Sequence, residues 1–131
     1  MDATEPGFHF FADIQDYLAR DTPGVPNPFD NWNLLVERTV THSIATNVDT
    51  VLVFFDSEYA GRVTSTNPAR ETRYYNYRVL IPTPTDTTRY QGQAELTFIQ
   101  VTSDWFLETF RDHRDGSGLP TWGSLRADNR R

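Results

Sequence analysis

Residue types able to move protons are few in this chain, and they are scattered. Histidines stand at 9, 42 and 113, Asp112 lies beside His113, and tyrosines cluster at 74, 75 and 77. A carboxylate or imidazole tuned by an apolar pocket can act as a general base, and a phenol can hold a developing enolate or alkoxide. The catalytic reading open to these residues is His42 or Asp112 as base, with Tyr75 or Tyr77 as donor. Each also has a plainer reading. His42 falls two residues after Val40 and two before Ile44, off the apolar stripe of its segment, as a surface or rim residue would. Asp112 and His113 are neighbours on an expected strand, so they face opposite sides and cannot share one pocket. Asp112 serves equally well as an arginine partner or the cap of a backbone turn. The run Arg111 to Asp115 alternates in sign like a solvated strand end. Tyr75 and Tyr77, with Trp105 and Phe110, could stack a ligand, but cross-strand aromatics commonly hold a sheet together.

Other chemistries find little support. The histidines form no i, i+4 pair, and Cys is absent, so no metal site is expected and disulfide and thiol chemistry are excluded. No glycine-rich phosphate loop and no Gly-x-Ser-x-Gly elbow occurs, and no cofactor is implied. The net charge is -6, and all 12 basic residues are Arg, which fits a coding bias better than a physical need. This acidic balance argues against a nucleic-acid footprint and against docking on anionic lipid. No apolar run approaches the roughly 20 residues that span a bilayer. Met1 to Gly7 lacks the basic and apolar regions of a signal peptide. A cytoplasmic location, or export with the targeting segment missing from this chain, are both open.

The elements that must position these groups follow from periodicity. At 131 residues one domain is expected, able to bury roughly two-thirds of its unfolded surface. Residues 1–7 read as a loose lead-in. Over 8–18 an extended entry passes into a short helical turn, with Phe10, Phe11, Ile14, Tyr17 and Leu18 on a helical stripe. Residues 20–28 form a loop. A long helix is expected from Asn27 as cap and Pro28 as first position to about Thr46, with Phe29, Trp32, Val36, Val40 and Ile44 on one face and Asn47 as the stop. Residues 48–57 are apolar on both sides, which predicts a strand that is central or covered on both faces. Residues 60–70 read as a loop. Strands follow over 71–81 and 88–101, then a tight turn at 102–104 and a last strand through Arg114. Gly92 inside its strand predicts a bulge or bend. Residues 116–131 read as a polar tail in which Trp122 is an anchor. The fold class is α+β: a curved antiparallel sheet packed on one main helix.

The run YQGQAELTFIQVTSDWFLETFRDHRD resembles the closing hairpin of the NTF2-like (SnoaL-like, cystatin-like α+β cone) superfamily. The matching positions are Tyr90, Gly92, Ala94, Trp105, Leu107, Phe110 and Asp112. The tail TWGSLRAD is similar to a Ser/Thr-Trp-Gly-x-Leu-Lys tail of a bacterial subset, often found in exported proteins. The likeness covers residues 71–126 and is a pattern of aromatic and small residues, not a catalytic signature. It implies a cone-shaped α+β domain. It also implies two N-terminal helices capping that cone, where this chain offers at most a short turn, so the cone is expected to be open on one side. An open apolar face favours a second copy or a protein partner.

The leading expectation is therefore a non-catalytic ligand- or protein-binding module that self-associates or joins an assembly. A small apolar ligand is compatible with it. Enzymes of the resembled family place an Asp or His in the cone, often with a Tyr. That implies the rival, an isomerase, dehydratase or cyclase using Asp112 or His42 with Tyr75 or Tyr77. A closed apolar pocket around a pKa-shifted Asp or His favours the rival; a pocket filled by Trp32, Phe54 and Trp105 excludes it. A third reading is an accessory subunit whose Trp122 and tail arginines dock on a partner.

Overall fold

Long alternating segments set the architecture of the C-terminal half. The computed structural model describes residues 7–130, so nearly all of the lead-in expected over residues 1–7 lies outside the described residues. In chain order the elements are β1 (His9–Phe11), α1 (Ile14–Ala19), α2 (Leu34–Asn47), β2 (Leu52–Ser65), β3 (Arg70–Pro82), β4 (Thr87–Val101), β5 (Asp104–His113) and α3 (Trp122–Asp128). The strands form one curved open sheet in the order β1-β5-β4-β3-β2. It is mixed where an antiparallel sheet was expected, because β1 runs parallel to β5. The extended entry and short helix over 8–18 are present as β1 and α1.

The helix expected from Asn27 starts later. Asn27 Oδ1 accepts the Phe29 amide at 3.0 Å and closes a turn, and Asn31 takes φ 55°, outside the helical region. Asn33 is the true cap, its side chain accepting the Val36 amide at 3.1 Å. Phe29 and Trp32 are still buried, but they reach the core from this turn. Their rings lie 6.2 and 5.4 Å from that of Phe10. From Leu34 the helix has no internal Gly or Pro, and Val40 and Ile44 bury its inner side. It ends at Asn47, with Val48 extended.

Two strand expectations are corrected. The strand at 48–57 is neither central nor covered. It is β2, an edge of the sheet, and Leu52, Val53, Phe54 and Phe55 are 39–44% exposed. It also runs through Gly61 to Ser65, where a loop was expected, absorbing irregular pairing at three register shifts against β3. The long β2–β3 ladder overrides the local loop signal. Gly92 makes no bulge; it pairs in register with Tyr77. The register shift in the β4–β5 pair lies at Thr97/Phe98.

Gly92 instead makes room. A Cβ there would stand 2.7 Å from both the His113 carbonyl oxygen and the Tyr77 hydroxyl. One of these obstacles is backbone, so Gly92→Ala is expected to cost about 1–3 kcal/mol. Gly61, with nothing within 4 Å of the same position, is the control and should accept Ala at little cost. Urea denaturation of both variants checks this; equal effects would remove the steric account.

The tail expected over 116–131 contains a further helix. In α3, every residue from Gly123 to Ala127 is buried. Thus two helices, not one, share the covered face. Val40 and Ile44 from α2 join Leu125 and Ala127 from α3 over Tyr77, Val79, Ala94, Leu96 and Phe110 of the sheet. Among the described residues no helix is long and apolar enough to cross a membrane.

Candidate functional site

The strand pairing places Asp112 of β5 opposite Ala94 and Tyr77 of β3 opposite Gly92, so both side chains rise from the covered face, on the two strands that flank β4. There they meet the first turn of α3. Tyr77 donates its hydroxyl proton to Asp112 Oδ1 at 2.6 Å and accepts the Trp122 amide at 2.8 Å. Asp112 Oδ2 accepts the Gly123 amide at 2.7 Å. The open N–H groups of a helix start are thus satisfied by a carboxylate and a phenol from the sheet. Gly123 is required for this approach, since a Cβ would lie 2.7 Å from Asp112 Oδ2 and 3.2 Å from Phe10 Cζ.

Burial dominates the titration of this pair. Asp112 is 1% exposed, and desolvation pushes its carboxyl up to about 6, against the opposing pull of the Tyr77 and Gly123 hydrogen bonds and the Arg126 charge. Tyr77 is raised far above its ordinary range, first by desolvation and then by the adjacent Asp112 charge. Every hydrogen bond of the pair runs to protein. Neither group can meet a substrate unless α3 moves away.

A second polar cluster fastens the other side of the same turn. Thr121 caps α3, accepting the Ser124 amide at 3.1 Å, and donates to Asp16 of α1 at 2.6 Å. Asp16 also accepts Arg114 Nη2 at 2.6 Å, and Asp13 accepts the Arg114 amide at 2.8 Å. Further along α3, the Arg126 guanidinium lies 4.3 Å from the Trp122 ring and 4.7 Å from those of Phe10 and Phe110. Its Nε donates to Glu37 of α2 at 3.0 and 3.2 Å, and Glu37 also accepts Trp32 Nε1 at 2.6 Å.

The other candidates are dispersed. His42 is exposed on α2, on the side away from the core. Tyr75 is half-buried beside Phe55, with rings 5.5 Å apart. Trp105 is 48% exposed near the β4–β5 turn, lining an open depression with Glu71, Arg73 and Phe98. Phe110 is buried under α3, its ring edge-on to Trp122 at 5.6 Å. Trp122 is half-buried between the Tyr77, Phe55 and Phe110 rings. The structure therefore brings together Asp112, Tyr77, Phe110 and Trp122, and leaves His42, Tyr75 and Trp105 outside that cluster. Trp32, Phe54 and Trp105 do not fill a common pocket: Trp32 is core, and Phe54 stacks under Arg78 at 4.6 Å on the opposite face of the sheet. Among the described residues no group of three or more His, Asp or Glu is placed to hold a metal.

Glu37 and Asp16 belong to the cluster and were not singled out by sequence reasoning; Thr121, Gly123 and Arg126 also belong to it, and entered the sequence reading only as positions of the TWGSLRAD tail. Thr121 as a cap ahead of WGSLRAD was the available signal for α3; nothing local marks Glu37 or Asp16 as its partners. No family model matches the chain, and neither a curated protein nor a solved structure matches it.

Proposed function

We propose that the chain is a non-catalytic binding module of NTF2-like type that self-associates through the β2 edge of its sheet. The observation that carries this reading is the run Leu52-Val53-Phe54-Phe55, exposed on both faces of a 14-residue strand that has no strand on its outer side among the described residues. A long apolar edge presents a row of open backbone groups and calls for cover. A second copy pairing antiparallel about a two-fold axis covers both edges at once. The opposite edge is β1, only three residues long, so pairing closes at a dimer instead of growing into a filament. The long β4–β5 hairpin and helices on one face support the NTF2-like part of the reading.

The enzyme alternative, an isomerase, dehydratase or cyclase, draws support from the raised Asp112 carboxyl. It is the weaker reading because Asp112 and Tyr77 spend their hydrogen bonds on α3, and because His42 faces solvent.

Light scattering tests the proposal. The wild-type chain should show twice its 15.1 kDa mass. Leu52→Lys combined with Phe54→Lys puts charge on the edge and should return a folded 15.1 kDa monomer. A wild-type monomer, or a dimer indifferent to both lysines, rejects the β2 interface.

A further inference from the structure

The loop ahead of α3 joins the C-terminal segment to the rest of the chain and does little else. Residues 116–120 are exposed, and Gly116 and Gly118 stand at φ 86° and 82°. The amides of Ser117 and Leu119 bond within the loop, to Asp115 at 2.9 Å and to Ser117 Oγ at 3.2 Å. Both ends of the loop meet at one residue of β4. Gln91 donates its side-chain amide to Asp115 at 2.9 Å and its backbone amide to the Pro120 carbonyl at 2.9 Å.

Beyond the loop, the segment is seated as a ligand would be. Thr121 donates to Asp16, the Trp122 and Gly123 amides are received by Tyr77 and Asp112, and Arg126 is received by Glu37. Arg130 Nη1 then donates to the Pro28 and Asp30 carbonyls, both at 2.7 Å. These partners come from α1, β3, β5, α2 and the turn before α2, so separate pieces of the chain build one cleft. From this geometry we infer that the cleft between α1, α2 and the covered face of the sheet is a peptide-binding site. Its ligand is the C-terminal segment 119–130, taken from a second copy of the chain as well as from its own.

The cleft is selective at one position. A Cβ on residue 123 would stand 2.7 Å from Asp112 Oδ2 and 3.2 Å from Phe10 Cζ, so a segment without Gly there does not seat. It is indifferent to connection, because none of the contacts from Thr121 onward needs cleft and segment to share a chain. A short flexible linker supplies an effective concentration of roughly 1 mM, so a separate segment at that concentration replaces the tether. Exchange of an identical element between two copies reuses the same contacts and needs no new interface chemistry.

This exchange goes beyond the β2 interface and does not use it. The test disables the segment of the full-length chain with Gly123→Val and Leu125→Asp, and adds a synthetic peptide of residues 119–131. Circular dichroism should show no cooperative melt for the disabled chain alone. With roughly 1 mM peptide it should melt near the wild-type temperature, and each tenfold dilution of peptide should lower its stability by about 1.4 kcal/mol. The same peptide carrying Gly123→Val should fail to restore the melt. Refolding tests the second copy directly. The Leu52→Lys, Phe54→Lys chain, refolded from urea at roughly 1 mM, should yield a species of twice 15.1 kDa by light scattering, and only the 15.1 kDa chain when refolded about a hundredfold more dilute. The peptide result is read from the melt and is independent of the β2 edge, so the two proposals fail separately. No restoration by the unaltered peptide, equal restoration by both peptides, a disabled chain that melts like wild type, or a lysine-bearing chain that stays at 15.1 kDa at both concentrations would overturn the inference.

Discussion

Deletion of residues 121–131 is expected to abolish cooperative unfolding. The seven-residue α3 is too short to be stable alone, so it exists only through its packing. The dependence also runs the other way. Leu125 and Ala127 are part of the core, and burying a leucine side chain is worth about 1.5–3 kcal/mol. Removing α3 uncovers Phe10, Tyr77 and Phe110. It strips Asp112 of the Gly123 amide and of the nearby Arg126 charge. Glu37 loses its ion partner, and Asp16 loses the Thr121 hydroxyl. Against a total stability of about 5–15 kcal/mol, the combined loss leaves no stable fold. Thermal melts followed by circular dichroism should show a sharp transition for the intact chain and none for the truncated one. A truncated chain melting at the intact temperature would make α3 an appendage, and would return Trp122 and the tail arginines to the role of partner-docking groups.

Replacing Asp112 by Asn should remove a pH dependence of stability that the wild type carries between pH 4 and pH 7. Burial raises this carboxyl from its ordinary 3.8 to about 6, so the folded chain holds a proton that the unfolded chain releases. Its favourable contribution is therefore fully present below 3.8 and is lost as pH rises through about 6. The difference corresponds to about 3 kcal/mol. Asp56 and Asp115 act in the opposite sense. Their carboxyls are lowered, Asp56 chiefly by its hydrogen bond to Arg78 and Asp115 by hydrogen bonds from Ser117 and Gln91, and their contribution is lost on acidification. For this reason the informative quantity is the difference between variant and wild type. Urea midpoints at closely spaced pH values should show the wild type falling relative to Asp112→Asn by about 2 kcal/mol from pH 4 to pH 7, most of the full difference. Parallel profiles would mean that Asp112 titrates normally and that the contacts to Tyr77 and α3 offset its burial completely.

Both results turn on one arrangement. Tyr77 and Asp112 belong to strands that are adjacent to β4 on opposite sides, and Gly92 of β4 passes between them without a side chain. The two polar groups converge above that gap and hold the first turn of α3. A buried hydrogen-bonded network of this kind specifies one docking geometry for the helix, because every alternative leaves a buried donor or acceptor unpaired. The polarity that made Asp112 and Tyr77 catalytic candidates is what lets them serve as a clasp.

The sequence by itself determined the alternating strands of β3, β4 and β5, the tight turn that joins the last two, the extended entry into α1, and the body of α2. Each is legible because side-chain period and turn chemistry are local properties, carried by residues two to four apart. The same local signals misplaced the start of α2 and the character of β2. Asn27 and Pro28 fit a helix start, but the rings of Phe29 and Trp32 pack on Phe10 from a turn instead. The apolar run 52–55 fits a covered strand, but among the described residues no strand lies outside β2 to cover it. Only the tertiary structure decided that 122–128 is a helix, that Gly92 and Gly123 are gaps and not bends, and that Glu37 faces Arg126 across 89 residues of chain. Such features depend on which strands become neighbours, and that is set by the summed burial of the whole chain, not by any window along it.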